Sequence, residues 1–203
     1  MSRKVKLVLS GESGVGKSSI ISRFYRNEEP HPGTTVGGAL FRERLIQIDP
    51  VTRKNKTIDV DIWDTAGQER FRSMSGFYFR NCDYCLLVFD LNDRESFVRM
   101  EEWRQICEKV RPDGQTTYFV IGNKSDVEQR QVTRTAILEY CQAHQIARYL
   151  ETSAKEGVGI GELHEALKDH LWSNFANLPT DQVNVPAPTT QSTAEEWKLP
   201  CAC

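Results

Sequence analysis

Gly11-Glu12-Ser13-Gly14-Val15-Gly16-Lys17-Ser18 separates an apolar run, KVKLVLS, from a helical pattern that begins at about Lys17. A strand, a glycine-rich turn and a helix in that order constrain this chain more than any other feature. The stretch fits GxxxxGK[ST] in the context that a phosphate-binding loop requires. Glycines let successive backbone N–H groups turn toward one point, where the helix N-terminus adds partial positive charge. Ser13, Gly14, Val15, Gly16, Lys17, Ser18 and Ser19 are therefore candidate nucleotide-binding residues. Lys17 supplies a full charge to the outer phosphates, and the Ser18 hydroxyl is suited to ligate Mg2+. A glycine turn that merely enters a helix is the plain alternative.

Beyond this loop, short apolar runs alternate with helical patterns, as in an α/β sheet wound with crossover helices. The first helix is expected from about Lys17 to Asn27, followed by a long polar loop, EEPHPGTTVGG. FRERLIQI and TIDVDIW alternate apolar and polar, which suits a hairpin joined by the charged DPVTRKNK. YCLLVFDL and YFVIGN are continuously apolar, as strands covered on both faces should be. Between them Phe97, Met100, Trp103, Ile106 and Val110 recur at helical spacing. Helices at about Thr133–His144 and Gly159–Phe175 and a short strand near ARYLE complete the pattern.

Composition closes off several classes. With 27% charged residues and a formal net charge of −2, the chain lacks the basic excess of a dedicated nucleic-acid binder. No apolar run approaches the ~20 residues needed to span a bilayer. Met1 to Gly11 holds an apolar stretch too short for a secretory signal, and Ser2 excludes N-myristoylation, so a cytosolic chain is expected. Disulfides are then not expected among the six cysteines. Cys82 and Cys85 form a CxxC, but Cys85 lies in an apolar strand and no second CxxC follows, which favours a core role over zinc or redox chemistry. His164 lacks the second histidine of a zinc helix, and its helix face is expected to be solvated.

Three later motifs carry chemistry. Trp63-Asp64-Thr65-Ala66-Gly67-Gln68 follows a strand. Asp64 is suited to hold Mg2+, Gly67 lets the backbone approach a γ-phosphate, and Gln68 is placed to orient an attacking water. A turn with a helix-capping Asp is the alternative there. Asn123-Lys124-Ser125-Asp126 ends an apolar strand. The Asp126 carboxylate matches the paired N–H donors of guanine, and the stem of Lys124 is long enough to lie along a base. Ser153-Ala154-Lys155-Glu156 is a capping-box pattern for a following helix, although the Ala154 N–H is also suited to meet a guanine carbonyl.

Each later motif is weak alone, but their order and spacing after a phosphate loop are specific. GESGVGKSS, WDTAGQERFRSMSGFYFRN, LLVFDLND, GNKSD and ETSAK resemble the Ras superfamily of small GTPases, the Rab family most closely, over about residues 4 to 175. Ser13, where Ras-type members place Gly, is also Rab-like. The resemblance implies the P-loop GTPase fold, a six-stranded mostly parallel sheet flanked by helices, with one hairpin strand antiparallel. It implies Mg2+ and GTP/GDP, with Gln68 catalytic, Ser18, Thr35 and Asp64 at the metal, and Ser153, Ala154 and Lys155 at the base. Segments 31–39 and 64–80 would be the two switches. The run Gly37-Gly38-Ala39-Leu40-Phe41 departs from the family's first switch, where an acidic residue and a Phe often follow the glycine.

A domain is thus expected over residues 1–176, and residues 177–203 read as a disordered, proline- and threonine-rich tail. The tail ends in Cys201-Ala202-Cys203, which resembles the family's double geranylgeranylation signal. The implied function is a switch that hydrolyses GTP and recruits effectors to the cytoplasmic face of intracellular membranes in vesicle trafficking, cycling with the cytosol. Its implied partners are an exchange factor, a GTPase-activating protein, a GDP-dissociation inhibitor or escort protein, and effectors, with a monomeric chain. The alternative reading is a nucleotide-loaded docking scaffold with little hydrolysis.

Overall fold

The computed structural model describes residues 3–26, 39–48, 55–65, 75–112 and 115–175. Thr35, Gly67, Gln68, Cys201 and Cys203, most of both expected switches and the expected tail lie outside these residues.

Six strands form one sheet: β1 (Arg3–Ser10), β2 (Ala39–Ile48), β3 (Asn55–Asp64), β4 (Tyr84–Asp90), β5 (Thr117–Asn123) and β6 (Arg148–Glu151), in the order β2-β3-β1-β4-β5-β6. Among the strands of the described residues only β2 runs antiparallel, paired with β3 from Ala39↔Asp64 to Ile48↔Asn55. The other pairings are parallel, so β1, β3, β4, β5 and β6 all end at one edge of the sheet. The chain leaves β1 toward β3 on one side and later returns to β4 on the other. Open α/β sheets bind ligands beyond the strand ends at such a reversal point.

The strands bury both faces because helices cover both. Val5, Leu7 and Leu9 of β1 and Leu86 and Val88 of β4 share a core with Ile20, Leu163, Leu167 and Leu171 of α1 (Lys17–Arg26) and α5 (Ile160–Phe175). Val8, Cys85, Leu87 and Phe89 pack on the opposite face with Phe79, Met100, Trp103 and Ile137. Those residues come from α2 (Ser75–Phe79), α3 (Arg94–Val110) and α4 (Arg134–Ala143). Asp93 caps α3 by accepting from the Glu95 N–H, and Thr133 caps α4 by accepting from the Ala136 N–H.

Cys82, Cys85 and Cys107 are all fully buried in the second core, and burial pushes the Cys82 and Cys85 thiols up, so they serve as small core residues. Val110 ends α3, as its helical spacing implies, but is partly exposed, and Cys107 fills the core position one turn earlier. Two local expectations need correction. His164 does not sit on a solvated face: its ring lies edge-on to Phe24 at 4.5 Å and its Nε2 is 3.0 Å from Glu43 Oε1. Ser153 does accept from the Glu156 N–H at 3.0 Å, yet the result is a turn, and α5 starts only at Ile160. The Ser153 backbone instead pairs with Val158, which holds the intervening residues away from a helix.

Candidate nucleotide site

The phosphate loop begins where β1 ends. Val15, 1% exposed, pins the loop into the core, while Ser13 and Gly14 form its exposed crest. Gly16 has φ +98°, and a Cβ there would stand 2.2 Å from Asn123 Nδ2. Only glycine satisfies both the backbone and the space. Gly14 has φ +79°, a left-handed backbone that favours glycine, with open space where a Cβ would lie. The Gly16 carbonyl then accepts from Ile20 N–H, and α1 is under way.

Lys17, the first residue of α1, is 5% exposed. Its Nζ donates to the carbonyls of Gly11 at 2.9 Å and Glu12 at 2.7 Å, so the loop wraps its own lysine. Burial pulls this ammonium down to about 8, against the opposing pull of Asp64 and Glu12. Asp64, at the end of β3, is 3% exposed, and burial raises its carboxyl while a hydrogen bond from Ser18 and the charge of Lys17 hold it down. Its Oδ1 has no hydrogen-bond partner among the described residues. A buried carboxylate oxygen without a partner, beside a hydroxyl, is a hard-oxygen donor set that fits Mg2+. Thr65 is fixed by donating its hydroxyl to the Leu9 carbonyl at 2.7 Å. Ser19 is half-buried on the same turn as Ser18.

The residues expected to meet a base lie beyond β5 and β6. Asn123, 2% exposed, donates Nδ2 to the Val15 carbonyl at 2.8 Å. Its Oδ1 accepts from Thr152 Oγ1 at 3.1 Å and from the Ala154 N–H at 3.3 Å. One amide thus joins the phosphate loop to the segment from Thr152 to Ala154. Lys124 follows in a left-handed conformation, φ +62°, with its Nζ 2.7 Å from Asp90 Oδ2. Asp126 Oδ1 accepts from the Ser153 hydroxyl at 2.6 Å, and Lys155 Nζ lies 4.0 Å from its other oxygen. The Ser125 N–H donates to the Thr152 carbonyl, a second tie between the two loops.

Ser13 to Ser19 and Asp64 are therefore arranged on one strand edge with Asn123, Lys124, Asp126, Ser153, Ala154 and Lys155. Sequence reasoning passed over three residues that shape this arrangement. Arg23 of α1 donates Nε to the Ala154 carbonyl at 3.0 Å and Nη2 to the Lys155 carbonyl. Asp90 holds Lys124, and Thr152 holds Asn123. The place of Asp90 at the end of an apolar strand was a usable signal, whereas Arg23 lies 131 positions from its acceptor and had none.

A profile of the Ras family matches residues 6–172. The chain is 35% identical over 168 residues to the Ypt/Rab-type GTPase ypt7 of Schizosaccharomyces pombe, covering 80% of each chain. It is 33% identical over 191 residues to the Ypt/Rab-type GTPase Rab7 of Gibberella zeae, covering 89% of this chain and 91% of that one. It is 35% identical over 159 residues to the human Ras-related protein Rab-9B, covering 77% of each. A match that runs from within β1 to within α5, with Rab-type relatives in both a yeast and a human, places the chain in the Ras family as a GTPase of the Rab type.

Proposed function

We propose that this chain is a guanine-nucleotide switch that hydrolyses GTP and, in its GTP state, recruits effectors to intracellular membranes in vesicle trafficking. The observation that carries the reading is Asn123, which ties the phosphate loop at Val15 to the base-recognition segment at Ala154. A site built in two halves and braced by one buried amide suits a ligand with a base at one end and phosphates at the other.

Each residue then has a task. Backbone N–H groups of Gly14 to Ser18 cradle phosphate oxygens at the start of α1, and Lys17 neutralises the outer phosphates. Ser18, Asp64 and Thr35 would hold Mg2+, which offsets charge on the phosphate oxygens when bound. Asp126 accepts from the guanine N–H donors, Ala154 donates to the guanine carbonyl, and Lys124 covers the base plane with its stem. Gln68 orients the attacking water, and Gly67 lets the second switch close on the γ-phosphate. Switch ordering changes affinity for partners, and that difference is the output.

Membrane attachment in this reading is by geranylgeranyl groups on Cys201 and Cys203. A single lipid chain anchors marginally, so two chains or a polybasic patch are needed, and Lys198 is the one basic residue after Ala176. An exchange factor, a GTPase-activating protein and a GDP-dissociation inhibitor or escort protein would drive the cycle of a monomeric chain. Single-turnover hydrolysis of bound GTP tests the reading. The expected intrinsic rate is about 10⁻⁴ to 10⁻³ s⁻¹, abolished in Gln68→Leu. A rate that Gln68→Leu leaves unchanged would favour the docking-scaffold alternative.

A further inference from the structure

Glu12 stands in the phosphate loop without a role in the scheme above. Its backbone and its side chain face different neighbours. The backbone carbonyl accepts from Lys17 Nζ at 2.7 Å, and the adjacent Gly11 carbonyl accepts from the same ammonium at 2.9 Å. An ammonium has three N–H donors, so two are committed to these carbonyls and their positions fix where the third can point.

The side chain of Glu12 reaches α3. Trp103 Nε1 donates to Glu12 Oε1 at 3.0 Å, across 91 positions of sequence, and Arg99 Nη1 lies 3.6 Å from Oε2. Trp103 is 2% exposed and belongs to the core cluster that holds Phe89 and Met100, so its indole is a fixed donor. A buried indole N–H needs an acceptor, and a carboxylate that is only 12% exposed needs donors. Each satisfies the other. Glu12 also sits between Gly11 and Gly14, which have backbone freedom and supply no anchoring side chain.

We propose that Glu12 is a positioning residue: Trp103 and Arg99 hold its carboxylate, and that hold sets the two loop carbonyls that aim the Lys17 ammonium at the outer phosphates. Helix α3 thereby becomes the rigid backing of the phosphate loop. The proposal rests on the guanine-nucleotide reading of the site.

The test uses the full chain loaded with GDP. Glu12→Ala and Trp103→Phe are each expected to release GDP about tenfold faster than wild type. The double variant is expected to release no faster than Glu12→Ala alone, because Trp103 acts through the carboxylate that change already removes. Glu12→Gln, which keeps an acceptor oxygen for the indole, is expected to remain within about threefold of wild type. Phosphorus NMR of bound GDP should show the β-phosphate resonance displaced in Glu12→Ala and the α-phosphate unmoved, and the Trp103 indole N–H resonance should move upfield. Arg99→Gln, a change at a half-exposed side chain, gives a second reading if Trp103→Phe does not fold, with an expected two- to threefold faster release. Unchanged release in Glu12→Ala, or faster release with an unmoved β-phosphate resonance, overturns the proposal. A wild-type chain that retains no guanine nucleotide overturns the functional reading as well, whereas wild-type retention with unaffected variants overturns this proposal alone.

Discussion

Asn123 donates its side-chain amide to the carbonyl of Val15 at 2.8 Å, although the two residues are 108 positions apart. The contact is buried, and the same amide accepts from Thr152 and Ala154. Removing it strands a buried carbonyl on the phosphate loop and a hydroxyl and an N–H on the base loop. Leaving such groups unsatisfied costs about 1–3 kcal/mol. Asn123→Ala is therefore expected to speed GDP release at least roughly tenfold. Stopped-flow release of a fluorescent GDP analogue reads this directly, and a wild-type rate would remove the bridging role.

Arg23 braces the base loop. Its guanidinium reaches the carbonyls of Ala154 and Lys155 and lies 3.6 to 3.8 Å from where a Cβ on Gly157 would be. Arg23→Ala should loosen the segment around Ala154, the proposed donor to the guanine carbonyl, and weaken GDP binding by roughly three- to tenfold. Calorimetric titration of the nucleotide-free protein checks this. Equal affinity in the variant would mean that the base loop holds its shape without α1.

In the proposed reading Asp126 selects the base. Its carboxylate is already oriented by the Ser153 hydroxyl at 2.6 Å. Asp126→Asn replaces an acceptor by a donor, so preference is expected to move from guanosine to xanthosine nucleotides by orders of magnitude. Competition between GTP and XTP measures the ratio. A variant that still prefers GTP would show that the base is read elsewhere.

Glu101 links α3 to α4 and gives a pH signature remote from the nucleotide. It accepts from Arg104 at 2.8 Å through both oxygens, from Tyr140 at 2.7 Å and from Gln105 at 2.9 Å. Arg104 is the largest cause that brings its carboxyl from 4.5 down to about 2 in the folded protein. A depressed folded value contributes stability that is fully present above 4.5 and is lost as pH falls toward about 2. Glu101→Gln should therefore lower the thermal midpoint near neutral pH and flatten its fall across that acid window. A parallel curve displaced by a constant amount would argue against the ionised pair.

The proposed lipid attachment is testable cysteine by cysteine. Cys201→Ser or Cys203→Ser alone should weaken membrane association, and the double change should leave a cytosolic chain that still binds GDP. Cell fractionation with mass spectrometry of the C-terminal peptide provides the check. Two unmodified thiols in the membrane-bound pool would contradict lipid anchoring.

The sequence by itself determined the elements and most of the site's cast. Strand alternation, helical spacing and the glycine loop are set by steric and burial rules that act within a few residues, so KVKLVLS, TIDVDIW, YCLLVFDL and YFVIGN could be placed as strands without a fold. The five-residue α2 escaped because it is too short to show a period. The tertiary structure decided what each residue faces. The capping pattern at Ser153 became a turn because its backbone found Val158, and His164 became half-buried because α5 packs it against Phe24 and Glu43 of β2. Asn123 on Val15, Arg23 on Ala154 and Trp103 on Glu12 are separated by 108, 131 and 91 positions. Such pairs depend on the strand order β2-β3-β1-β4-β5-β6, which brings five parallel strand ends to one edge, and no local rule encodes which distant side chain that edge will present.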